Sequence, residues 1–231
     1  MGFSARMPAG SPAEMWADLV MVAVAADRPA GKVLESLLAS ALPALRGQGV
    51  SGLACLAGEG WLRDGLAAAE FVQVDRVVGY AHGFGRGLPL VRDAAALRIA
   101  GTPDIEAILA VNAAAFEPFW RYDDATLLNW LLTSDHAMLA EVDGQAAGFA
   151  LTSHNPENEY AYLIRLATLP AYQERGIGRQ LVGDALTYAR FVGASGLALN
   201  TQNSNLVSRR LYESLGFHLT GHTLSVMVYP L

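Results

Sequence analysis

The run Gln173-Glu174-Arg175-Gly176-Ile177-Gly178-Arg179 lies between an apolar strand and an amphipathic helix, and its residue types suit one task. Two glycines at that spacing let the backbone pass close to a bulky anion, and the helix that follows points its unpaired N–H groups at whatever sits there. The run reads as a phosphate cradle. A P-loop needs Lys-Ser or Lys-Thr after the second glycine, where Arg179-Gln180 stand, and a dinucleotide fingerprint needs a third glycine where Leu181 stands. Both common nucleotide readings are therefore weak.

The cradle is preceded by the strand Leu163-Ile164-Arg165-Leu166-Ala167-Thr168 and the break Leu169-Pro170. Further on comes Asn205-Leu206-Val207-Ser208-Arg209-Arg210-Leu211-Tyr212-Glu213-Ser214-Leu215-Gly216-Phe217. Tyr212 ends an amphipathic helix with Leu206, Leu211 and Leu215, Gly216 suits a left-handed C-cap, and Phe217 opens the last strands. Together these motifs resemble the acyl-CoA-binding core of the GCN5-related N-acetyltransferase (GNAT) superfamily. The resemblance covers roughly 96–231 in full order, and its Tyr-Glu-Ser-Leu-Gly-Phe ending is similar to that of protein N-terminal acetyltransferases.

The resemblance implies an α/β (α+β) fold: a mixed twisted sheet with a splayed fourth strand, flanked by helices. It implies acetyl-CoA as the cofactor, with Leu166, Ala167 and Thr168 beside the pantetheine arm. The pyrophosphate then falls on the N–H groups from Arg175 through Gly176, Ile177 and Gly178 to Arg179, with Gln173 and Glu174 in the same loop. Asn205 contacts the cofactor or caps its helix, and Ser208 shares that surface. Tyr212 matches the family's tyrosine near the thioester sulfur, where a phenol can give its proton to the departing thiolate.

Acetyl transfer to an amine also needs the amine deprotonated. The two positions at which family members carry a glutamate hold Tyr162 and Asn200 here, and Glu159 falls on the opposite strand face from Tyr160 and Tyr162. Deprotonation is then expected through ordered water and backbone carbonyls, or by entry of an amine already neutral. Phe116, Trp120, Tyr160, Tyr162 and Asn200 are the residues expected to line the acceptor pocket. The acceptor is expected to be a small-molecule amine or a peptide N-terminus. The missing carboxylates keep a second reading open, an acyl-CoA-binding protein with little or no catalysis.

The elements that must position these groups are legible in pattern. Leu97-Arg98-Ile99 reads as a short strand, and Thr102-Pro103-Asp104 as a helix start with Thr102 at the N-cap. A second helix follows Asp123-Asp124, and His136–Val142 and Ala146–Thr152 flank the hairpin turn Asp143-Gly144. Before this module, residues 1–14 read as a loose lead-in. They are followed by a strand Leu19–Val24, a helix over 31–46, a strand Gly52–Leu56, a helix Trp61–Ala69 and a strand Phe71–Val78.

That strand-helix-strand-helix-strand order is the order found again from Tyr160 onward. Gly52-Leu53-Ala54 answers Gly196-Leu197-Ala198, and Glu70-Phe71 answers Gly216-Phe217. Pro29 stands where Gly176 would be and Leu66 where Tyr212 would be, which removes an N–H and a hydroxyl. The chain therefore divides into a degenerate half-GNAT domain at 1–92 and a complete module at 96–231, an arrangement similar to tandem GNAT proteins. Two modules in one chain could imitate a dimer, so either a monomeric pseudo-dimer or a homodimer is expected.

The bulk numbers narrow the classes. The 231 residues are 52% hydrophobic and 16% charged, with net charge −6. No run of Lys or Arg could track a nucleic-acid backbone, so no nucleic acid partner is expected. No stretch approaches the roughly 18 apolar residues of a membrane span, and no leader pattern opens the chain, which together suggest a cytoplasmic protein. The single cysteine, Cys55, has no disulfide partner and no metal-ligand partner at zinc spacing, so no metal is expected.

Overall fold

The computed structural model describes residues 2–6, 15–21, 29–58 and 60–231. It divides into two compact units. The first comprises Met1–Val78, Gln202–Ser204 and His222–Leu231; the second comprises Gly79–Thr201 and Asn205–Gly221. Among the described residues, no helix is long and apolar enough to cross a membrane.

In the first unit, β1 (Gly2–Arg6) runs antiparallel to β2 (Met15–Met21), and β2 runs parallel to β3 (Val50–Ala57). Strand β3 then pairs antiparallel with the end of β10 (His218–Pro230), from Ser225↔Ala57 to Pro230↔Gly52. The strand at Gly2–Arg6 corrects the reading of 1–14 as a loose lead-in. Its residues carry little apolar pattern, and the open edge of β2 supplies the pairing instead. Strand β2 also begins earlier than Leu19, at Met15, while Val22–Val24 lie outside the described residues.

Helices α1 (Ala30–Gly47) and α2 (Gly60–Ala68) cover this sheet, and Leu34, Leu38, Leu45, Leu53, Leu66, Phe71 and Met227 form one core. Cys55 belongs to that core, and burial beside the Asp18 carboxylate pushes its thiol up to about 11. The expected strand Phe71–Val78 becomes β4 (Val72–Gly83). Alternation could not show its extension, because Tyr80, Ala81 and His82 are all buried and a strand covered on both faces loses its period of two.

In the second unit the strand order is β4-β9-β8-β7-β6-β5. Here β5 is Ala96–Ile99, β6 His136–Val142, β7 Gln145–Ser153, β8 Tyr160–Thr168 and β9 Gly196–Gln202. Pairing is antiparallel from β5 to β8 and parallel between β8 and β9. Strands β6 and β7 meet at Asp143 (φ 52°) and Gly144 (φ 74°), the paired positive values of the expected hairpin turn.

Helices α3 (Ile105–Ala115) and α4 (Asp124–Thr133) pack Ile108, Val111 and Leu131 on Leu139, Phe149, Leu151 and Ala167. The start of α3 corrects the expected Thr102 cap. Residues Thr102–Asp104 form a 3-10 turn, and the Asp104 carboxylate accepts from Gly101 N–H at 2.9 Å while gripping Arg98 at 2.7 Å. Helix α5 (Ile177–Phe191) links β8 to β9, and α6 (Leu206–Ser214) follows β9 with Asn205 accepting from Ser208 N–H at 3.0 Å.

Helices α2 and α6 end in matching backbone hydrogen bonds. Phe71 N–H donates to Leu66 O and Phe217 N–H to Tyr212 O, while Glu70 N–H donates to Ala67 O and Gly216 N–H to Glu213 O. Glu70 (φ 66°) and Gly216 (φ 90°) take the same left-handed position. Both α2 and α6 thus end in one type of C-cap, with Leu66 and Tyr212 at equivalent places.

Two predictions follow from this packing. A methyl group at Gly196 would run into the His82 carbonyl oxygen and stand 2.5 Å from the Tyr160 ring. The Gly196→Ala variant should therefore lose about 1–3 kcal/mol, read as a fall in melting temperature. His82 is buried with its Nδ1 unpartnered, and burial holds its imidazole below the ordinary 6.5. The unfolded imidazole then takes a proton that the folded one refuses, so stability should fall as pH drops below that value, by at most about 1.4 kcal/mol per pH unit. Removing the imidazole in His82→Phe should flatten this acid-side loss in pH-dependent denaturation.

Candidate functional site

The cradle forms where β8 gives way to α5. Pro170–Tyr172 make a 3-10 turn, and Gln173 Nε2 donates to Thr168 O at 3.2 Å, closing the loop on the strand that precedes it. Glu174 (φ 62°) and Gly176 (φ 92°) then turn the chain into the helix. Gly176 is the N-cap and offers no side-chain acceptor, and the bond from Gln180 N–H to Gly176 O begins the helical ladder. The N–H groups of Ile177, Gly178 and Arg179 are left to face outward from a positive helix end. Ile177 is buried and anchors that first turn.

The two arginines of the run differ. Arg175 stacks its guanidinium 5.1 Å from the Tyr172 ring centroid on an exposed loop, whereas Arg179 Nη2 donates to Ser214 Oγ at 2.6 Å and ties α5 to α6. Gln180, unassigned in the sequence, secures the cradle from behind. Its Oε1 accepts from Ala94 and Ala95 N–H, both at 2.9 Å, and its Nε2 donates to Ala95 O at 3.1 Å. A Cβ on Gly178 would touch both Leu211 (3.5 Å) and Thr168 Oγ1 (3.6 Å), so α6, β8 and the cradle converge there.

Strand β8 carries two irregularities that shape the site. The parallel register with β9 runs from Tyr160↔Gly196 to Leu163↔Leu199 and goes no further, so Leu166, Ala167 and Thr168 pair with β7 alone. On the β7 side, Leu151 faces Arg165 while Thr152 faces Leu163, which leaves Ile164 as an extra residue. Such a bulge reverses the alternation of side chains. Tyr162 and Arg165, an odd number of positions apart, are thereby brought to one face.

Around them the expected acceptor residues gather unevenly. Arg165 Nε and Nη2 donate to Asn112 Oδ1 at 3.1 and 2.8 Å, and Nη2 also donates to Trp120 O at 2.8 Å. Its guanidinium carbon lies 3.5 Å from the Phe116 ring centroid and 4.9 Å from that of Tyr122. Tyr162 hydrogen-bonds Asn200 and lies within electrostatic range of Tyr122. Tyr160 is apart from this group, packed over Gly196 with its hydroxyl toward Gly83.

Tyr212 is buried between the rings of Tyr80 (6.1 Å) and Phe217 (5.8 Å). Burial raises its phenol well above the ordinary 10; a hydrogen bond with Ser208 and the charge of Arg165 pull the other way, and Tyr162 adds to the rise. A phenol shifted in that direction is protonated throughout the neutral range. Below it, Tyr80 donates to Glu213 Oε1 at 2.7 Å and accepts from Arg209 Nε at 3.1 Å, which fixes the helix that carries Tyr212. Sequence reasoning assigned no role to Arg165, Asn112, Tyr122 or Tyr80. A lone arginine inside an apolar strand was the available signal for the first.

Comparison with known proteins places this geometry. Residues 105–217 match the acetyltransferase (GNAT) family. The aminoglycoside N(6')-acetyltransferase type 1 of Salmonella typhimurium is 30% identical over 109 residues, 42% of this chain and 75% of that protein. The [ribosomal protein bS18]-alanine N-acetyltransferase of Escherichia coli is 36% identical over 76 residues, 33% of this chain and half of that protein. The fold is also that of a tandem GNAT protein from the clavulanic acid biosynthesis pathway, at 16% identity and a TM-score of 0.65, covering 99% of this chain and 78% of that one. The cradle before α5, the parting of β8 from β9 and the buried tyrosine of α6 thus lie within a chain that belongs to the GNAT family of N-acetyltransferases, enzymes whose acyl donor is acetyl-CoA.

Proposed function

We propose that this enzyme transfers an acetyl group directly from acetyl-CoA to the primary amine of a small molecule or of a peptide N-terminus, with Tyr212 as the general acid. The observation that carries the reading is the convergence of three features within one unit: the uncapped start of α5, the unpaired edge of β8 at Leu166–Thr168, and a phenol held protonated by burial. Acetyl-CoA supplies the acetyl group already activated as a thioester. The N–H groups of Ile177, Gly178 and Arg179 suit its phosphates, with Arg175 adding charge, and the free edge of β8 suits an extended arm laid alongside as a further strand.

The chain's own chemistry is then simple. The amine nitrogen forms a bond to the acetyl carbon as the carbon–sulfur bond breaks, the Tyr212 hydroxyl gives its proton to the departing sulfur, and the proton the amine loses to water is replaced on the Tyr212 phenol from the same solvent. Tyr162 and Asn200 hydrogen-bond each other where a carboxylate base could stand, so the amine is taken up neutral or loses its proton to solvent. The relatives named above acetylate an aminoglycoside and an alanine of a ribosomal protein by their names, which fits a primary amine as acceptor.

The same reading takes 96–231 as the complete module and 1–92 as a degenerate half. At the N-cap of α1, Pro29 (φ −69°) stands where α5 has left-handed Gly176, and buried Leu66 stands where α6 has Tyr212. Among the described residues of that half, Pro29 supplies no N–H for an anion and Leu66 no hydroxyl, and two modules in one chain favour a monomer. The missing carboxylates at Tyr162 and Asn200 favour a second reading, an acyl-CoA-binding protein with little catalysis.

Acetyl-CoA should raise the melting temperature, and a panel of primary amines and N-terminal peptides should include one acceptor class that releases free thiol. Binding without thiol release on any amine would select the second reading. Tyr212→Phe should lower kcat by about 10²-fold while leaving acetyl-CoA affinity unchanged, and equal rates would remove Tyr212 from the chemistry. Because its phenol is shifted upward, the wild-type kcat profile should show no alkaline limb from this group below about pH 10. In Gly176→Ala the left-handed N-cap is strained by about 1–2 kcal/mol, and weaker acetyl-CoA binding with unchanged acceptor KM is expected in a titration.

A further inference from the structure

The connection between α3 and α4 contains a single 3-10 turn, Pro118–Trp120, yet it is held at many points. Arg165 is 8% exposed and provides most of them: two N–H donations to Asn112 on α3, one to the backbone of Trp120, and stacking contacts on Phe116 and Tyr122. Arg121 Nε adds a bond to Phe116 O at 2.8 Å, and Asp123 caps α4 by accepting from Thr126 N–H at 2.6 Å. Tyr122 in turn packs edge-on against Trp130 at 4.6 Å. A guanidinium is suited to this task, because its planar fork reaches separate acceptors while its faces stay available to rings.

We propose that Arg165 is the positioning residue of the acceptor site, holding Phe116 and Tyr122 as a preformed aromatic wall beside Tyr162 and Tyr212, and that this wall selects amines carried on an aromatic or apolar body over polycationic amines. The inference rests on the transfer reading above. The bulge at Ile164 turns Arg165 to the face of Tyr162, and the loop that would otherwise sample many conformations is fixed before an acceptor arrives. The rings offer apolar, polarisable surface to a flat body, while a polycation must give up the water around its further charges to lie against them.

The test uses the full chain with acetyl-CoA and two probe acceptors, phenethylamine and the polycationic aminoglycoside kanamycin. The wild type should favour phenethylamine by about tenfold or more in kcat/KM. Arg165→Met should raise the KM for phenethylamine about tenfold with acetyl-CoA affinity unchanged, and Arg165→Lys should restore only part of it. Phe116→Leu keeps most of the bulk and leaves Arg165 in place, so its KM should rise in the same direction even if Arg165→Met does not fold. A preference for kanamycin, or unchanged KM in a folded Arg165→Met or Phe116→Leu variant, would overturn the inference and leave the transfer reading standing. Loss of acetyl-CoA binding in step with KM would also overturn it, since a merely structural residue acts that way. Absence of thiol release by the wild type with either probe, when other amines do support it, overturns only the inference; absence with every amine overturns both.

Discussion

Past Leu163 and Leu199, β8 and β9 no longer pair, and the site follows from that parting. Backbone N–H and C=O groups are costly to leave without partners, so a strand that loses its neighbour must have something else to bond. The edge of β8 at Leu166–Thr168 is such a strand, and it leads directly into a helix whose first turn is also uncapped. An extended edge without a strand neighbour and a helix start without a side-chain cap therefore adjoin. An acyl donor with an extended amide-bearing arm and a phosphate end matches both in order.

The surrounding packing keeps that opening in shape. Gln180 fastens residues Ala94 and Ala95 behind the cradle, Arg179 ties α5 to Ser214 of α6, and Tyr80 holds Glu213. The first and last of these bonds tie the site to segments beside it, and the second ties its two helices to each other. Tyr212 is thereby placed at depth, where burial keeps the phenol protonated and the nearby Arg165 guanidinium is engaged with Asn112 and Trp120. Helix α2 of the first unit closes with the same hydrogen bonds around Leu66, so one local architecture carries a phenol in α6 and an apolar side chain in α2.

The parts legible in the sequence were those encoded locally. The run Gln173–Arg179 and the helix Asn205–Ser214 announce themselves by glycine spacing and capping, and Asp143-Gly144 by turn chemistry. Features made by distant partners were not legible. The bulge at Ile164 has no local mark, because isoleucine is an ordinary strand residue and the extra position exists only relative to β7. Without it, alternation places Arg165 on the wrong face, and its anchors at Asn112, Phe116 and Tyr122 come from another part of the chain. Likewise Gly2–Arg6 forms a strand only because β2 presents an edge to it, and Tyr80 and His82 are hidden by burial on both faces of β4.

The central claim is that one molecule of acetyl-CoA engages the free edge of β8 and the start of α5 together. Amide hydrogen exchange with and without acetyl-CoA tests it most directly, because exchange reports protection residue by residue. The account predicts new protection confined to two stretches, the amides of Leu166–Thr168 and those of Ile177–Arg179, appearing at the same ligand concentration. Protection of neither stretch at saturating acetyl-CoA, or of α1 and the start of the first unit instead, would contradict it.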